Sequence, residues 1–175
     1  DIPNRHYLPA GFDNRAIKVL LVGCGGNGAQ MLMGLASLET ALRAISTRSL
    51  QVTVVDDDVV SEANLGRQPF YRCDLGASKA RTLVERINLA HGLCWRAVHG
   101  RAPEAVKIAD VDILISCVDT ASARRALGAD LANGKPVPAY WMDLGNRAGD
   151  GQFLIGSPRR STAHDRRRLP TVVEY

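Results

Sequence analysis

The sequence has few cysteines and no long apolar run. Its four cysteines form no Cys-x-x-Cys pair, which argues against a structural zinc site and defines no disulfide framework. No apolar stretch is long enough to span a bilayer, and the first residues lack the apolar core of a signal peptide. We therefore expect a cytoplasmic protein without a membrane-spanning segment.

Aromatic residues are also scarce, at 5% of the chain, and none lies in the most basic segment, residues 158–168, which holds five arginines. Proteins that bind single-stranded nucleic acid combine such charge with stacking rings, so nucleic acid is not an expected partner. The segment is either a solvated loop or a patch for an acidic partner. We expect residues 157–175 to form a basic crossover that orders when a partner docks, and the chain could be truncated there.

An alternation of apolar strands and amphipathic helices fills most of the chain. Its 175 residues suffice for one domain, which we place at residues 16–156, after an irregular arm at residues 1–15. Strands are predicted at residues 17–22, 51–55, 94–99, 111–118, 136–140 and 152–155, and helices at 27–46, 76–91, a short stretch from Pro103, and 120–132. The pattern predicts an α/β, Rossmann-like fold with a largely parallel sheet flanked by helices. Inward-facing positions of the first two helices include Leu38, Ile45 and Ala90.

A glycine-rich loop joins the first strand to the first helix. Gly23, Gly25 and Gly28 match G-x-G-x-x-G, in which the first glycine permits the tight turn and the second lets the backbone approach a phosphate. The third allows close helix–strand packing, and the helix N-terminus supplies free N–H groups. The loop predicts a site for a nucleotide phosphate but does not choose between NAD, FAD and ATP.

A carboxylate ends the second strand. Asp56 is placed to accept hydrogen bonds from ribose hydroxyls, as in dinucleotide-binding folds. It lies 33 residues after Gly23, however, and the usual spacing is about 20. The first helix is therefore long for an ordinary NAD domain.

Four ordered motifs resemble the ThiF/MoeB/HesA family, which includes the adenylation domains of ubiquitin-activating enzymes. The resemblance covers roughly residues 17–156. It is carried by Gly23-Cys24-Gly25-Gly26-Asn27-Gly28, by Asp56-Asp57-Asp58-Val59-Val60-Ser61-Glu62-Ala63-Asn64-Leu65-Gly66-Arg67-Gln68, by Asp74-Leu75-Gly76-Ala77-Ser78-Lys79-Ala80, and by Ser116-Cys117-Val118-Asp119. Four motifs in one order are far more specific than a glycine loop alone.

The resemblance implies how these residues would activate a carboxylate with ATP. Arg67 and Lys79 would neutralise the phosphates, since a guanidinium binds oxygens in a fork and an ammonium is a compact charge. Asn64 and Gln68 would orient them or bind phosphate. Asp119, at the end of a parallel strand, would hold Mg²⁺, which prefers carboxylate oxygen. Gly23, Gly25, Gly26, Gly28 and Asp56 would bind the nucleotide.

Some features of the family are missing or displaced. Arg5 and Arg15 are the arginines of the arm, but neither matches the family's N-terminal motif, so neither is assigned to the ATP site. The family's two Cys-x-x-Cys pairs are absent, and no cysteine follows residue 156 for thioester transfer. Cys117 and Cys94 fall in apolar strand patterns, so we expect core packing rather than covalent chemistry.

The expected function is ATP-dependent adenylation of the C-terminal carboxylate of a small ubiquitin-like or sulfur-carrier protein, with release of pyrophosphate. Such a carboxylate usually follows Gly-Gly, and Trp141, Asp143 and Asn146 are expected to line the exit side of the pocket. Members of this family work as dimers, so the resemblance implies a homodimer. Two other hypotheses stay open: a non-catalytic ThiF-like scaffold that binds nucleotide or protein, and an NAD-dependent oxidoreductase.

Overall fold

The computed structural model describes residues 8, 12, 15–133, 136–146, 149–158 and 169–174. Six strands are present: β1 (Ile17–Val22), β2 (Leu50–Asp56), β3 (Arg96–His99), β4 (Ile113–Ser116), β5 (Tyr140–Asn146) and β6 (Gly151–Gly156). The α-helices are α1 (Gly26–Ile45), α2 (Lys79–His91) and α3 (Ala121–Asn133). Short 3₁₀ turns cover Glu62–Asn64, Arg72–Asp74 and Val172–Glu174.

The strands form one six-stranded sheet in the order β3-β2-β1-β4-β5-β6. All pairs are parallel except β5 with β6, so the predicted Rossmann-like fold is confirmed. The strand order reverses between β1 and β4, where Val22 pairs with Val55 on one side and Ser116 on the other. Ligands of open α/β sheets bind in the crevice at such a reversal, outside the carboxyl ends of the strands.

Apolar side chains cover both faces of the sheet. On one face, α1 and α2 pack on the strands through residues such as Leu32 and Leu83. On the other, α3 and the loop after β3 supply Leu127 and Ile108. Strands buried on both faces explain why β1 is an almost continuous apolar run.

The helix predicted from Pro103 is wrong. The chain makes turns there, closed by hydrogen bonds from the Ala105 N–H to the Arg101 carbonyl (2.8 Å) and from the Val106 N–H to the Pro103 carbonyl (3.3 Å). Ala102 and Ile108 are both buried in the core. Both pack in one apolar cluster with residues of β1 and β4, so tertiary packing rather than a helical ladder sets the path of this segment.

The strand predicted at residues 136–140 is also wrong, since β5 begins at Tyr140, where the predicted strand ends. Pro136 and Pro138 have no N–H to donate to a ladder, which disfavours a central strand at their positions.

Three helix positions differ from the predicted core stripe. Leu38 is 47% exposed, Ile45 is 81% exposed, and Ala90 is exposed. In the second helix, Val84 is buried and Ala90 is not. The second helix begins at Lys79 rather than at residue 76 because Gly76 has φ of 80°, which is outside the helical region.

The residues near the C-terminus pack on the domain. The Ser157 N–H donates to the Leu169 carbonyl (2.9 Å), Thr171 is buried, and Val173 lies against Gly128 of α3. The five arginines of the basic segment lie outside the described residues, as does most of the N-terminal arm. None of the helices in the described ranges has the length and hydropathy needed to cross a membrane.

Candidate functional site

A cavity of about 1150 Å³ lies at the carboxyl ends of the parallel strands, at the strand-order reversal. Nine of the ten residues predicted for the site line this cavity. They are Gly23, Gly25, Gly26, Asp56, Asn64, Arg67, Gln68, Lys79 and Asp119. The fold therefore gathers residues from four separate motifs, as the sequence predicts, while their individual roles remain predictions.

The tenth residue, Gly28, lies in α1 and packs closely against the glycine loop. A Cβ at this position would overlap the carbonyl of Gly23 and reach 3.4 Å from the Cβ of Cys117. Gly23 itself has φ of 94°, a conformation that favours glycine, and its N–H donates to the Val55 carbonyl (2.9 Å). These contacts fix the loop against both neighbouring strands.

Gly25 and Gly26 border open space at the start of α1. A Cβ on either would meet no atom within 4 Å, and Gly25 is the N-cap of the helix without a side-chain hydrogen bond. The first N–H groups of a helix have no partner within it and attract anions. The loop thus provides room and donors for a phosphate.

Asp56 is fixed by two backbone donors. Its Oδ2 accepts from the Cys24 N–H (2.5 Å) and its Oδ1 from the Asp58 N–H (2.8 Å). Burial raises the pKa of the Asp56 carboxyl above its usual value, although these two hydrogen bonds act in the opposite direction. Each oxygen keeps a second lone pair, which can accept a ribose hydroxyl.

Ion pairs engage the two acids that follow. Asp57 pairs with Arg101 at 2.7 Å, and Asp58 pairs with Lys79 at 2.8 Å. The three carboxylates come within 4.8 Å of one another, but these partners already neutralise two of them. We therefore do not assign a metal to this cluster.

The two predicted cations differ in environment. The Lys79 side chain is only 7% exposed and reaches the cavity beside Asp58, which is 65% exposed. Arg67 is exposed, and its Nε donates to the Ala63 carbonyl (3.0 Å), which leaves its terminal nitrogens for a ligand.

Asn64 and Gln68 hold the segment that presents Arg67. The buried Asn64 accepts from the Ser61 N–H through Oδ1 (2.9 Å), which stabilises the 3₁₀ turn. The Oε1 atom of Gln68 is buried at the cavity, and within the described part of the chain it has no hydrogen-bond partner. A buried polar atom without a partner is costly, so a bound ligand that donates to it would remove that cost.

Asp119 follows β4 and faces the cavity. It is exposed, and in the described ranges no hydrogen bond or ion pair engages its carboxylate. Thr120 rather than Asp119 caps α3, since its Oγ1 accepts from the Ala123 N–H (3.2 Å). The Asp119 carboxylate is thus available for a ligand, and its oxygens suit Mg²⁺, which keeps several waters.

The predicted exit side is partly wrong. Asn146 lines the cavity and accepts a hydrogen bond from Asn27 (3.1 Å), but Trp141 and Asp143 are 2% and 1% exposed and do not line it. Both point into a buried polar network with Arg124. Alternation along β5 places neighbouring residues on opposite faces, and the sequence pattern did not reveal which face is inward.

Arg124 was missed by the sequence analysis. It lines the cavity from α3, and its Nε donates to both carboxylate oxygens of Asp143 at 3.0 and 2.9 Å. The signal available in the sequence was an arginine five residues after Asp119, but one arginine on a helix does not stand out from solvated ones.

The cysteines lie in different environments. Cys117 follows β4, is partly buried and lines the cavity, and burial raises the pKa of its thiol to about 12. Burial also raises the pKa of Cys24. Cys94 is exposed and precedes β3, so its expected place in an apolar strand is wrong.

A family model described as "ThiF family" matches residues 13–151. The chain belongs to the ThiF family. This confirms the resemblance carried by the four motifs, and the matched residues include every residue that lines the cavity except Gln152.

Solved structures of the same fold include Escherichia coli TcdA, a tRNA N6-threonylcarbamoyladenosine dehydratase. Its complex with ATP matches with a TM-score of 0.60 and 24% identity over 77% of this chain and 53% of that one. Its complex with AMP gives a TM-score of 0.59 and 23% identity over the same shares. A further structure, TcdA (CsdL), gives 0.59 and 23% over 77% and 51%.

This ThiF-family chain therefore spans about half the length of the matched structures. A comparison with curated protein sequences finds no match. At this level of identity the TcdA structures establish the shared fold.

Proposed function

We propose that this ThiF-family domain uses ATP to adenylate the C-terminal carboxylate of a small ubiquitin-like or sulfur-carrier protein. The observation that carries the proposal is that one cavity combines the glycine loop, Asp56, Arg67, Lys79 and Asp119. One matched structure of this fold, TcdA, is a complex with ATP, which supports ATP as the nucleotide.

In the proposed reaction, a carboxylate oxygen attacks the α-phosphorus of ATP. The bond from that phosphorus to the pyrophosphate oxygen breaks, which yields an acyl-adenylate and pyrophosphate. Both reactants are anionic, so the site must neutralise their repulsion and the charge that develops on the phosphoryl oxygens. Arg67 and Lys79 are the cations placed to do so.

The nucleotide would be held at both ends. The first amides of α1 and the open space at Gly25 and Gly26 would receive phosphate, while Asp56 would accept ribose hydroxyls. Lys79 would exchange its contact with the exposed Asp58 for a phosphate oxygen. Gln68 would gain the partner that its buried Oε1 lacks within the described residues.

A Mg²⁺ ion fits the carboxylate of Asp119, because the ion prefers oxygen ligands. When bound it would neutralise phosphate charge. Asp119 would hold the ion from the end of β4, and Arg67 and Lys79 would bind the phosphates.

The size of the cavity supports a second reactant beside the nucleotide. Its volume of about 1150 Å³ exceeds the range of about 300–1,000 Å³ that is usual for small-ligand sites. Gly145 and Gly151 form part of the cavity wall. We propose that the second reactant is a thin tail ending in Gly-Gly, and a homodimer is part of the same proposal.

The first test is ligand-dependent thermal stability. ATP with Mg²⁺ at about 100 times its dissociation constant should add roughly 2.7 kcal/mol to the free energy of unfolding. NAD should not change the free energy of unfolding, because Arg67, Lys79 and Asp119 together are expected in an ATP site and not in an NAD site. Stabilisation by NAD without stabilisation by ATP would refute adenylation.

The second test separates an enzyme from a scaffold. A carrier protein encoded beside this chain and ending in Gly-Gly should support exchange of labelled pyrophosphate into ATP. The same carrier without its last two residues is the matched control and should not. ATP binding without exchange would favour the non-catalytic hypothesis.

A further inference from the structure

A buried ion pair lies at the wall of the cavity, between α3 and β5. Arg124 of α3 and Asp143 of β5 have side-chain exposures of 14% and 1%. The Nε of Arg124 lies 3.0 and 2.9 Å from the two carboxylate oxygens. Removing two charges from water is costly, and an apolar pair would often stabilise a core equally well. The pair therefore calls for an explanation other than stability.

Neighbouring strands fix the carboxylate of this pair. Asp143 accepts from the Ser116 hydroxyl at 2.5 Å and from the Gln152 amide at 2.9 Å. Ser116 in turn accepts from the Trp141 indole N–H at 2.8 Å. Donors from β4 and β6 thus hold Asp143, and through it the guanidinium, in one orientation.

The other end of the guanidinium holds the turn that bears Asp119. The Nη2 of Arg124 donates to the Val118 carbonyl at 2.6 Å, one residue before Asp119. On the far side, a Cβ at Gly145 would come within 2.7 Å of Nη2. Glycine there leaves the space that the guanidinium occupies.

We propose that Arg124, oriented by Asp143, is a positioning residue that fixes the carboxylate of Asp119 for the cation bound with the nucleotide. The inference rests on the proposed function, because it takes Asp119 as the ligand of that cation. Arg124 acts through the Val118 carbonyl, so it contributes to the binding of Mg²⁺ rather than to that of the nucleotide itself.

The variant Arg124→Lys tests the proposal. A lysine can still pair with Asp143, but it lacks the rigid fork needed to reach the Val118 carbonyl at the same time. Calorimetry measures the ATP dissociation constant with EDTA and with saturating Mg²⁺, and the ratio of the two gives the coupling. Supporting groups of metal ligands typically contribute 10–100-fold in metal affinity, so this ratio should fall by about tenfold or more.

A double-mutant cycle links the effect to Asp119. Asp119→Asn should lower the same ratio, and adding Arg124→Lys to it should lower it no further. In the ligand-free protein, hydrogen exchange of the segment 117–124 should be faster in Arg124→Lys than in the unmodified chain. Should Arg124→Lys fail to fold, Asp143→Asn, which has the same shape, should give the same loss of coupling.

Trp141→Phe is the control, because it removes a buried hydrogen bond of the network and leaves the contact with Val118. It should lower the melting temperature without changing the coupling ratio. An unchanged ratio in Arg124→Lys, or a loss that persists in the Asp119→Asn background, overturns the inference alone. An unmodified protein that binds no ATP with or without Mg²⁺ overturns the proposed function as well.

Discussion

At the scale of single residues, Lys79 and Arg67 supply positive charge in different ways. Lys79 is almost buried and paired with an exposed aspartate, so its position is set before a ligand arrives. Arg67 is exposed and is held by a backbone carbonyl at its Nε. A preorganised cation costs little reorganisation in the transition state, and this is the main way in which such sites accelerate phosphoryl chemistry.

We predict that Arg67→Ala and Lys79→Ala each lower pyrophosphate exchange by about 10²–10³, because each removes a donor to developing charge. Both should stay folded, since neither leaves a buried acid without a partner: Asp58 is 65% exposed. Arg81→Ala is the matched control, because Arg81 is exposed on α2 and does not line the cavity. Near-normal exchange in folded Lys79→Ala would remove Lys79 from the site.

The thiol of Cys117 is predicted to be unreactive and to carry no covalent intermediate. Its pKa is raised to about 12 by burial, so it stays protonated at neutral and mildly alkaline pH, and the thiolate is the reactive form. Iodoacetamide at pH 8 should label the exposed Cys94 much faster than Cys117, as followed by mass spectrometry. Equal labelling, or a reducible conjugate that folded Cys117→Ala fails to form, would contradict this.

At the scale of secondary-structure elements, a buried glutamate joins α1 to β2. Glu39 is 1% exposed, accepts from the Leu50 N–H at 2.5 Å and pairs with Arg43 at 2.6 Å. It thereby satisfies the first N–H of the strand that ends in Asp56. The contact lies at the end of β2 opposite to the cavity, so we expect it to stabilise the fold rather than the site.

Glu39→Ala should lower the free energy of unfolding by about 1–3 kcal/mol, because it leaves a buried N–H without a partner. ATP affinity of the folded fraction should hardly change, since Glu39 is not part of the cavity wall. Denaturant unfolding measures the loss, and Glu85→Ala on the exposed side of α2 should cost less than about 0.5 kcal/mol. Equal stability of the two variants would show that the contact contributes nothing.

At the scale of the whole molecule, the charge is unevenly distributed. The net charge is +4, and five arginines lie at residues 159, 160 and 166–168, outside the described residues. The part of the sequence that contains them lies between β6 and residues 169–174, which pack on α3. Such a segment would suit an acidic or polar face on the proposed carrier protein.

We predict that replacing Arg159, Arg160, Arg166, Arg167 and Arg168 with Ser weakens binding of the carrier. The loss should be large at low salt and small at high salt, because exposed charges are screened within about 8 Å at physiological ionic strength. Titration calorimetry at two salt concentrations measures it. Unchanged affinity and unchanged salt dependence would show that the segment is a plain solvated loop.

The sequence alone determined the fold class and most of the cavity. Parallel strands buried on both faces must be apolar along their whole length, and the glycines of the loop satisfy local backbone needs, so both leave a direct mark in the chain. The polar motifs follow strand ends, and the ends of parallel strands meet at one edge. This places Asp56 and Asp119 together, whereas Arg67 and Lys79 join them through the motifs that resemble the ThiF family.

Only the tertiary structure decided which polar residues face inward. Asp143 and Arg124 are 19 positions apart, and their pairing depends on how α3 packs against β5, which no local pattern encodes. The same holds for Glu39, whose partner Leu50 belongs to the next strand. A charged side chain can be buried stably only if a partner lies beside it. Here packing brings the partners together from distant parts of the chain, so the local sequence around each residue does not reveal them.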